Sequence, residues 1–427
     1  MERQTLTMTG RSVALNPEQT AHCLNCETGC CTLFEVQATQ EEAEAIMRLA
    51  VPGAPKTFEE CFTPSNDRPG EFVMRKGSDG RCVFADGRLC AIHKRHGMAA
   101  KPLSCRIFPL HIQPWADGGL SAELRFICPS VGLPGGTPLG ERTDEIFRFA
   151  RQLGLRRGIN DCVYSHANPA PLGKVRLVHA GFRQLLRNRE LPLKLRLYAA
   201  ARILDFHDRK EMFGAIQNAD EEFAADLAAF VEKARPELER ELGSGRCDAL
   251  VRSEFRSLLC GYLRDDRPED AALSRRLRRA LSHLRVFSGV GALTELNPAA
   301  PPVSMLLFPA VGRVPEFSPE AVAVFEMFFF GKLDSMHFCG TKIQRFDYVT
   351  GLRHLLHSAP CAFAMAAAFA VARDRKRVEF ADMHRAVRLL DFTFGRSPFF
   401  RMRLARKWID NLARPRRFAG LLNQVFR

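Results

Sequence analysis

Nine of the fourteen cysteines in this 427-residue chain fall within its first 128 positions. They run Cys23-x-x-Cys26-x-x-x-Cys30-Cys31, then Cys61, Cys82, Cys90, Cys105 and Cys128. Cys162, Cys247, Cys260, Cys339 and Cys361 are spread over the remainder. Thiolates at short, fixed spacing are what a soft metal needs, because a tetrahedral site draws four sulfurs from a few tight turns. A polar start, Met1-Glu2-Arg3-Gln4-Thr5, leads into no apolar stretch, so no secretory signal is expected. A cytoplasmic location then keeps the thiols reduced and favours metal over disulfides.

The segment around these cysteines is rich in turns, with Ser78-Asp79-Gly80, Ala85-Asp86-Gly87 and Ala116-Asp117-Gly118-Gly119. Glu71–Arg75 and Leu120–Ile127 alternate apolar and polar residues and read as strands, and Gln40–Ala50 reads as a short helix. A module of this kind buries little apolar area, so bound metal would supply much of its stability. A Pro/Gly stretch from Pro129 to Gly140 marks its end. Beyond it the pattern turns helical: Arg142–Leu153, Pro192–His207, Asp220–Ala234, Ala271–Phe287 and Pro319–Phe330 read as helices. In the third, Phe223, Leu227, Phe230 and Val231 form one stripe. Ser318-Pro319 supplies a capping hydroxyl and a first-turn proline, with Phe317 placed to pack on Val322. Phe380, Met383, Val387 and Leu390 line a face of a later helix. The expected fold is mainly α: a small irregular Cys-rich metal-binding module with few short strands, followed by a large α-helical region. The expected domains are 1–130 for the module, 131–141 for a linker, and 142–300 and 301–427 for two helical regions, split by the proline-rich stretch 297–315.

Composition narrows the partners. The formal charge is +14 and the pI near 9.4, with basic residues gathered in 274–280 and in the tail 396–427, where nine Arg or Lys face one Asp. An acidic protein surface suits that balance. Nucleic acid is not expected, since four Tyr and two Trp give little platform for base stacking. The longest nearly apolar run, Ala359–Ala372, is shorter than a bilayer requires and is closed by Arg373-Asp374-Arg375-Lys376-Arg377, so a buried helix rather than a membrane span is expected. There is no P-loop motif, and Gly289-x-Gly291, after a possible strand, lacks the third glycine of a dinucleotide site.

Four elements occur in order: Cys23-x-x-Cys26-x-x-x-Cys30-Cys31; Cys82-Val-Phe to Cys90-Ala-Ile-His93; Cys105-Arg106-Ile-Phe108-Pro109; and Cys128-Pro129. In these the chain resembles the zinc- or iron-chelating cysteine-cluster family and, within that type, the flagellin lysine-N-methylases. Phe34 stands where the methylases carry tryptophan, Leu110 stands where they carry a basic residue, and Cys61 has no counterpart. The resemblance implies that Cys23, Cys26, Cys30, Cys31, Cys82, Cys90, Cys105 and Cys128 hold an iron–sulfur cluster or zinc, as one site or two. Arg106 would offset the negative charge of the thiolates as a cofactor-binding residue. It further implies transfer of a methyl group from S-adenosylmethionine to lysine on flagellin or another acidic protein. No catalytic residue and no S-adenosylmethionine pocket can be named from the residues, and the alternative is a non-catalytic chelating protein that docks an acidic partner. His22, His93, His96 and His111 lie near the cysteines but are expected to support them rather than bind metal, and His337, His354, His357 and His384 are expected in packing roles.

Overall fold

A computed structural model describes residues 6–8, 11–22, 32, 35–49, 51–66, 68–87, 89–155, 160–207, 213–263, 273–297, 300 and 316–426. The opening motif from Cys23 to Cys31 lies outside the described residues, as does most of the proline-rich stretch 297–315. The fold is mainly α with a few short strands. The chain divides into two compact units. One, the cysteine unit, is made of residues 15–113 and 122–156; the other, the helical unit, of 1–14, 114–121 and 157–427.

In the cysteine unit, strand Glu71–Met74 is the centre of a three-stranded antiparallel sheet. Gln37–Thr39 pairs on one side with Ala38 opposite Phe72, and Phe62–Pro64 on the other with Thr63 opposite Val73. Two short helices are started by the same device. The Thr39 hydroxyl accepts from the Glu42 amide and the Glu42 carboxylate accepts from the Thr39 amide, opening helix Gln40–Met47. Thr57 and Glu60 repeat this reciprocal cap for Phe58–Cys61. Against this frame packs a core of Ala43, Ile46, Cys61, Phe62, Met74, Cys82, Phe84 and Ile92. Residues 131–141 carry strand Thr137–Pro138, which pairs with Thr20–Ala21, and helix Thr143–Gln152 follows with Ile146, Phe147, Phe149 and Ala150 buried.

The helical unit is built on long buried helices. Ser318 accepts from the Ala321 amide and Pro319 takes the first turn of helix Pro319–Asp334, as the sequence predicts, while Phe317 packs on Phe363 with ring centroids 4.7 Å apart. Asp347 caps the 24-residue helix Tyr348–Val371, its carboxylate accepting from the Thr350 amide at 2.7 Å. This helix extends the alanine-rich run by more than two turns toward the N-terminus, which makes it long and apolar enough to cross a membrane by length and composition. Of its most apolar 18 residues, however, 89% are buried inside the protein. Phe363 on this helix packs against Phe325, Phe394 and Phe400 pack against its His354, and these phenylalanines are all buried, as are Phe328 and Phe329. Each contributes about 1.5–3 kcal/mol of hydrophobic stabilisation. Within this apolar setting Lys332 and Asp391 form an ion pair at 2.6 Å, and the Lys332 ammonium also lies over the Phe328 and Phe394 rings.

Several sequence expectations change here. Helix Phe223–Ser244 runs ten residues past the predicted end and carries Pro236 inside it. Leu227 and Val231 of the predicted stripe are buried, but Phe230 is 52% exposed. Gly289 follows helix Leu273–Ser288 rather than a strand, and its φ of +85° ends that helix in a left-handed turn. Helices Leu172–Arg187 and Ala249–Leu263 are additional. The first buries Val175, Val178, Phe182 and Leu185, and its Gly181 admits close packing: a Cβ there would lie 3.0 Å from Leu227 Cδ2.

Candidate metal centre

Cys82, Cys90 and Cys105 are brought onto one small core, together with Cys61. Cys82 forms a β-bridge with Lys76, and its Sγ lies 4.0 Å from Met74 Sδ. Cys90 pairs with Ala85 in a two-stranded hairpin and stands at the N-terminal cap of helix Ala91–His96. Cys105 lies in helix Leu103–Ile107. Two hydrogen bonds moor that helix: the Leu103 amide donates to Glu42 Oε1 at 2.7 Å, and the Ser104 hydroxyl donates to the Gln37 carbonyl at 2.6 Å. The Phe108–Pro109 peptide that follows is cis. Cys90 and Cys105 are partly exposed, whereas Cys61 is fully buried with its thiol donating to the Pro55 carbonyl at 3.4 Å. Burial, reinforced by the Glu60 carboxylate, raises the Cys61 thiol pKa.

Cys128 sits in a turn after Arg125, buried, with its Sγ 3.2 Å from the Ser130 hydroxyl. This turn meets the chain that enters the opening motif: Ala21 bridges Val131, and the Gly132 amide donates to the Thr20 carbonyl at 2.9 Å. The chain that leaves the motif is fixed near Cys82. Lys76 Nζ donates to the Thr32 carbonyl at 2.8 Å, and the Met74 amide donates to the Val36 carbonyl at 2.9 Å. The described flanks of Cys23–Cys31 are thus anchored beside Cys128 on one side and Cys82 on the other. Among the described residues, no three cysteine sulfurs lie within 4.8 Å of one another. The four later cysteines of the predicted set therefore share a unit without forming a single-ion tetrahedral set by themselves.

Arg106 faces Glu42, guanidinium to carboxylate, at 3.8 Å, and its Nε–H is buried with no hydrogen-bond partner. A buried cationic N–H left this way fits an anionic neighbour such as a metal-bound thiolate. With the chemistry of an all-thiol donor set, it makes these residues a fit for zinc or iron. Burial and the Lys101 ammonium lower the His93 pKa, so the ring stays neutral. His22 and His96 are exposed, and His111 Nδ1 lies 3.4 Å from a Glu123 carboxylate oxygen. The histidines of the helical unit pack: His354 lies against Tyr262, Phe394 and Phe400, His357 donates to the Ile409 carbonyl, and His384 stacks on Phe380. His337, in the turn after helix Pro319–Asp334, shares a 2.8 Å hydrogen bond with Ser121.

Two features of this centre had no counterpart in the sequence reading. The Thr32–Lys76 bond and the Ser130 contact with Cys128 depend on chain segments brought together by folding, and no spacing rule marks them.

Residues 22–126 match the family model CxxCxxCC, described as "Putative zinc- or iron-chelating domain". The match takes in Cys23 through Cys105 and stops two residues before Cys128. No curated protein and no solved structure matches the chain. The N-terminal part of this mainly helical chain is thus similar to a cysteine-cluster domain of the zinc- or iron-chelating type.

Proposed function

We propose that the chain is a metal-holding cysteine-cluster protein in which the opening motif closes onto the later cysteines. The observation that carries this is the anchoring of both flanks of Cys23–Cys31, at the Cys128 turn and at the Cys82 strand. Sulfurs around a tetrahedral zinc lie about 4 Å apart, given Zn–S bonds of about 2.3 Å. At most two of Cys82, Cys90, Cys105 and Cys128 then serve any one such site, and Cys23, Cys26, Cys30 and Cys31 supply the rest. Iron–sulfur is the preferred content, with zinc as the alternative. In either case the metal would draw thiolates, and Arg106 would offset their charge.

Anaerobic purification followed by metal analysis and a visible spectrum tests this. Iron and sulfide in matching amounts identify a cluster, whereas zinc in colourless protein identifies a structural site. Protein without either metal overturns the proposal. Cys105→Ser is expected to lose bound metal, and unchanged content removes Cys105 from the ligand set.

A second reading keeps the enzyme: methyl transfer from S-adenosylmethionine to a lysine of flagellin or another acidic protein, in the cytoplasm. The order of the four cysteine elements between Cys23 and Pro129 favours it. Such an enzyme must desolvate and deprotonate its lysine substrate. Anaerobic incubation with flagellin and labelled S-adenosylmethionine is the test, and absence of label on lysine leaves the chelating reading alone.

A further inference from the structure

The helical unit contains a concave site of about 720 Å³ whose charged lining is entirely cationic. Lys342, Arg345, Arg396, Arg401 and Arg406 line it, with no carboxylate among the lining residues. Its floor is buried and polar: Gln344 Nε2 donates to the Gly395 carbonyl at 3.1 Å. The floor also orients two of the arginines. Arg401 Nε donates to Gln344 Oε1 at 2.7 Å, and Arg406 Nη2 donates to the Gln344 carbonyl at 2.9 Å. Arg406 lies over the Phe346 ring, and its buried Nε–H has no hydrogen-bond partner. Among the described residues, Lys342, Arg345, Arg401 and Arg406 form no ion pair with a carboxylate.

Like charges repel, so gathering Lys342, Arg345, Arg401 and Arg406 around one hollow costs stability unless an anion joins them. The backbone is also held in an uncommon form there. Gln344 and Arg345 are consecutive non-glycine residues with φ of +53° and +55°, a conformation that clusters at ligand sites. Guanidinium forks aimed by neighbouring groups match phosphoryl oxygens two at a time. No aromatic or aliphatic wall is offered to the ligand, because Phe346 is covered by Arg406. The ligand must therefore be small and dense in negative charge.

We infer that this pocket binds a small molecule carrying two or more phosphoryl groups. Neither the cysteine cluster nor methyl transfer requires it, so it stands independently of the function proposed above.

The test is titration of the full-length protein with inorganic tripolyphosphate by calorimetry, at two salt concentrations. Saturable binding that weakens with salt is expected, together with a raised melting temperature. Lys342→Glu and Arg345→Glu change exposed side chains that make no side-chain hydrogen bond, so the fold should survive. Each is expected to weaken binding about tenfold or more, because reversal replaces an attraction with a repulsion at close range. Arg235→Glu, on the exposed face of helix Phe223–Ser244, should leave affinity within about twofold. Absence of binding at millimolar tripolyphosphate overturns the inference, and so does equal weakening by all three variants. Binding of a DNA oligonucleotide that tripolyphosphate fails to displace would overturn it too, by identifying an extended strand as the occupant.

Discussion

In the helical unit Cys260, Cys339 and Cys361 are fully buried, and burial raises their thiol pKa values well above the usual range for Cys339 and Cys361. They serve as small apolar filler, and even the Cys339–Cys162 contact, 3.7 Å between sulfurs, lies inside the core. In the cysteine unit Cys90 and Cys105 stand at the edge of a thin core, in or at the start of helices of five or six residues. One unit has aromatic packing enough to need no further cohesion. The other builds its core on a three-stranded sheet and short helices. The same residue type is structural where burial is abundant and available for chemistry where burial is scarce.

Removing the metal separates the two units most sharply. Under the proposal, a chelator should destabilise the cysteine unit by several kcal/mol while the helical unit keeps its melting transition. Hydrogen exchange resolved by peptide reads this directly: loss of protection confined to 15–113 and 122–156 is expected. Equal loss in both units would break the comparison.

A second experiment works from the opposite side. Lys332→Met leaves Asp391 buried without its partner and should cost about 3–5 kcal/mol. The melting transition of the helical unit should fall while metal content stays unchanged.

Acid gives a graded effect. Burial holds His179 and His354 at a pKa of about 3, and His207 and His357 at about 4. The unfolded chain binds these protons near pH 6.5, while the folded unit refuses them until pH 3–4. Stability from these residues is complete above pH 6.5 and is lost as pH falls through that window. Each contributes a slope of about 1.4 kcal/mol per pH unit. His207→Leu should flatten the pH dependence of denaturant midpoints by about that slope between pH 4 and 6.5, and an unchanged slope would exclude His207 from the effect.

The smallest expected signal is in thiol labelling. In native protein, Cys247, Cys260, Cys339 and Cys361 should resist a thiol reagent, Cys247 because burial raises its pKa to about 11. Cys90 and Cys105 should react quickly once metal is removed.

Much of this contrast was legible in the residues themselves. Ser318-Pro319 announced a helix start because capping depends on two adjacent side chains, and strand Glu71–Met74 followed from simple alternation. Cysteine order alone marks the segment that matches a zinc- or iron-chelating domain. Other features were hidden for physical reasons. Helix Phe223–Ser244 passes through Pro236, a residue that ordinarily ends a helix, because its buried Leu238 and Leu242 continue the packing beyond it. Helix Leu172–Arg187 has a regular buried face, but its two glycines and five basic residues, counting His179, mask it. The cationic pocket escaped notice because Lys342 and Arg345 are more than fifty residues from Arg396, Arg401 and Arg406 in the chain.

The anchored ends around the opening motif carry one more consequence. Ten residues separate Ala21 from Thr32, and closing a free loop of that length costs about 2 kcal/mol of chain entropy. Here the fold has already met that cost through pairing at Val131 and Lys76. An arriving ion would therefore find the chain on either side of the motif already fixed, and its capture would not have to order those flanks.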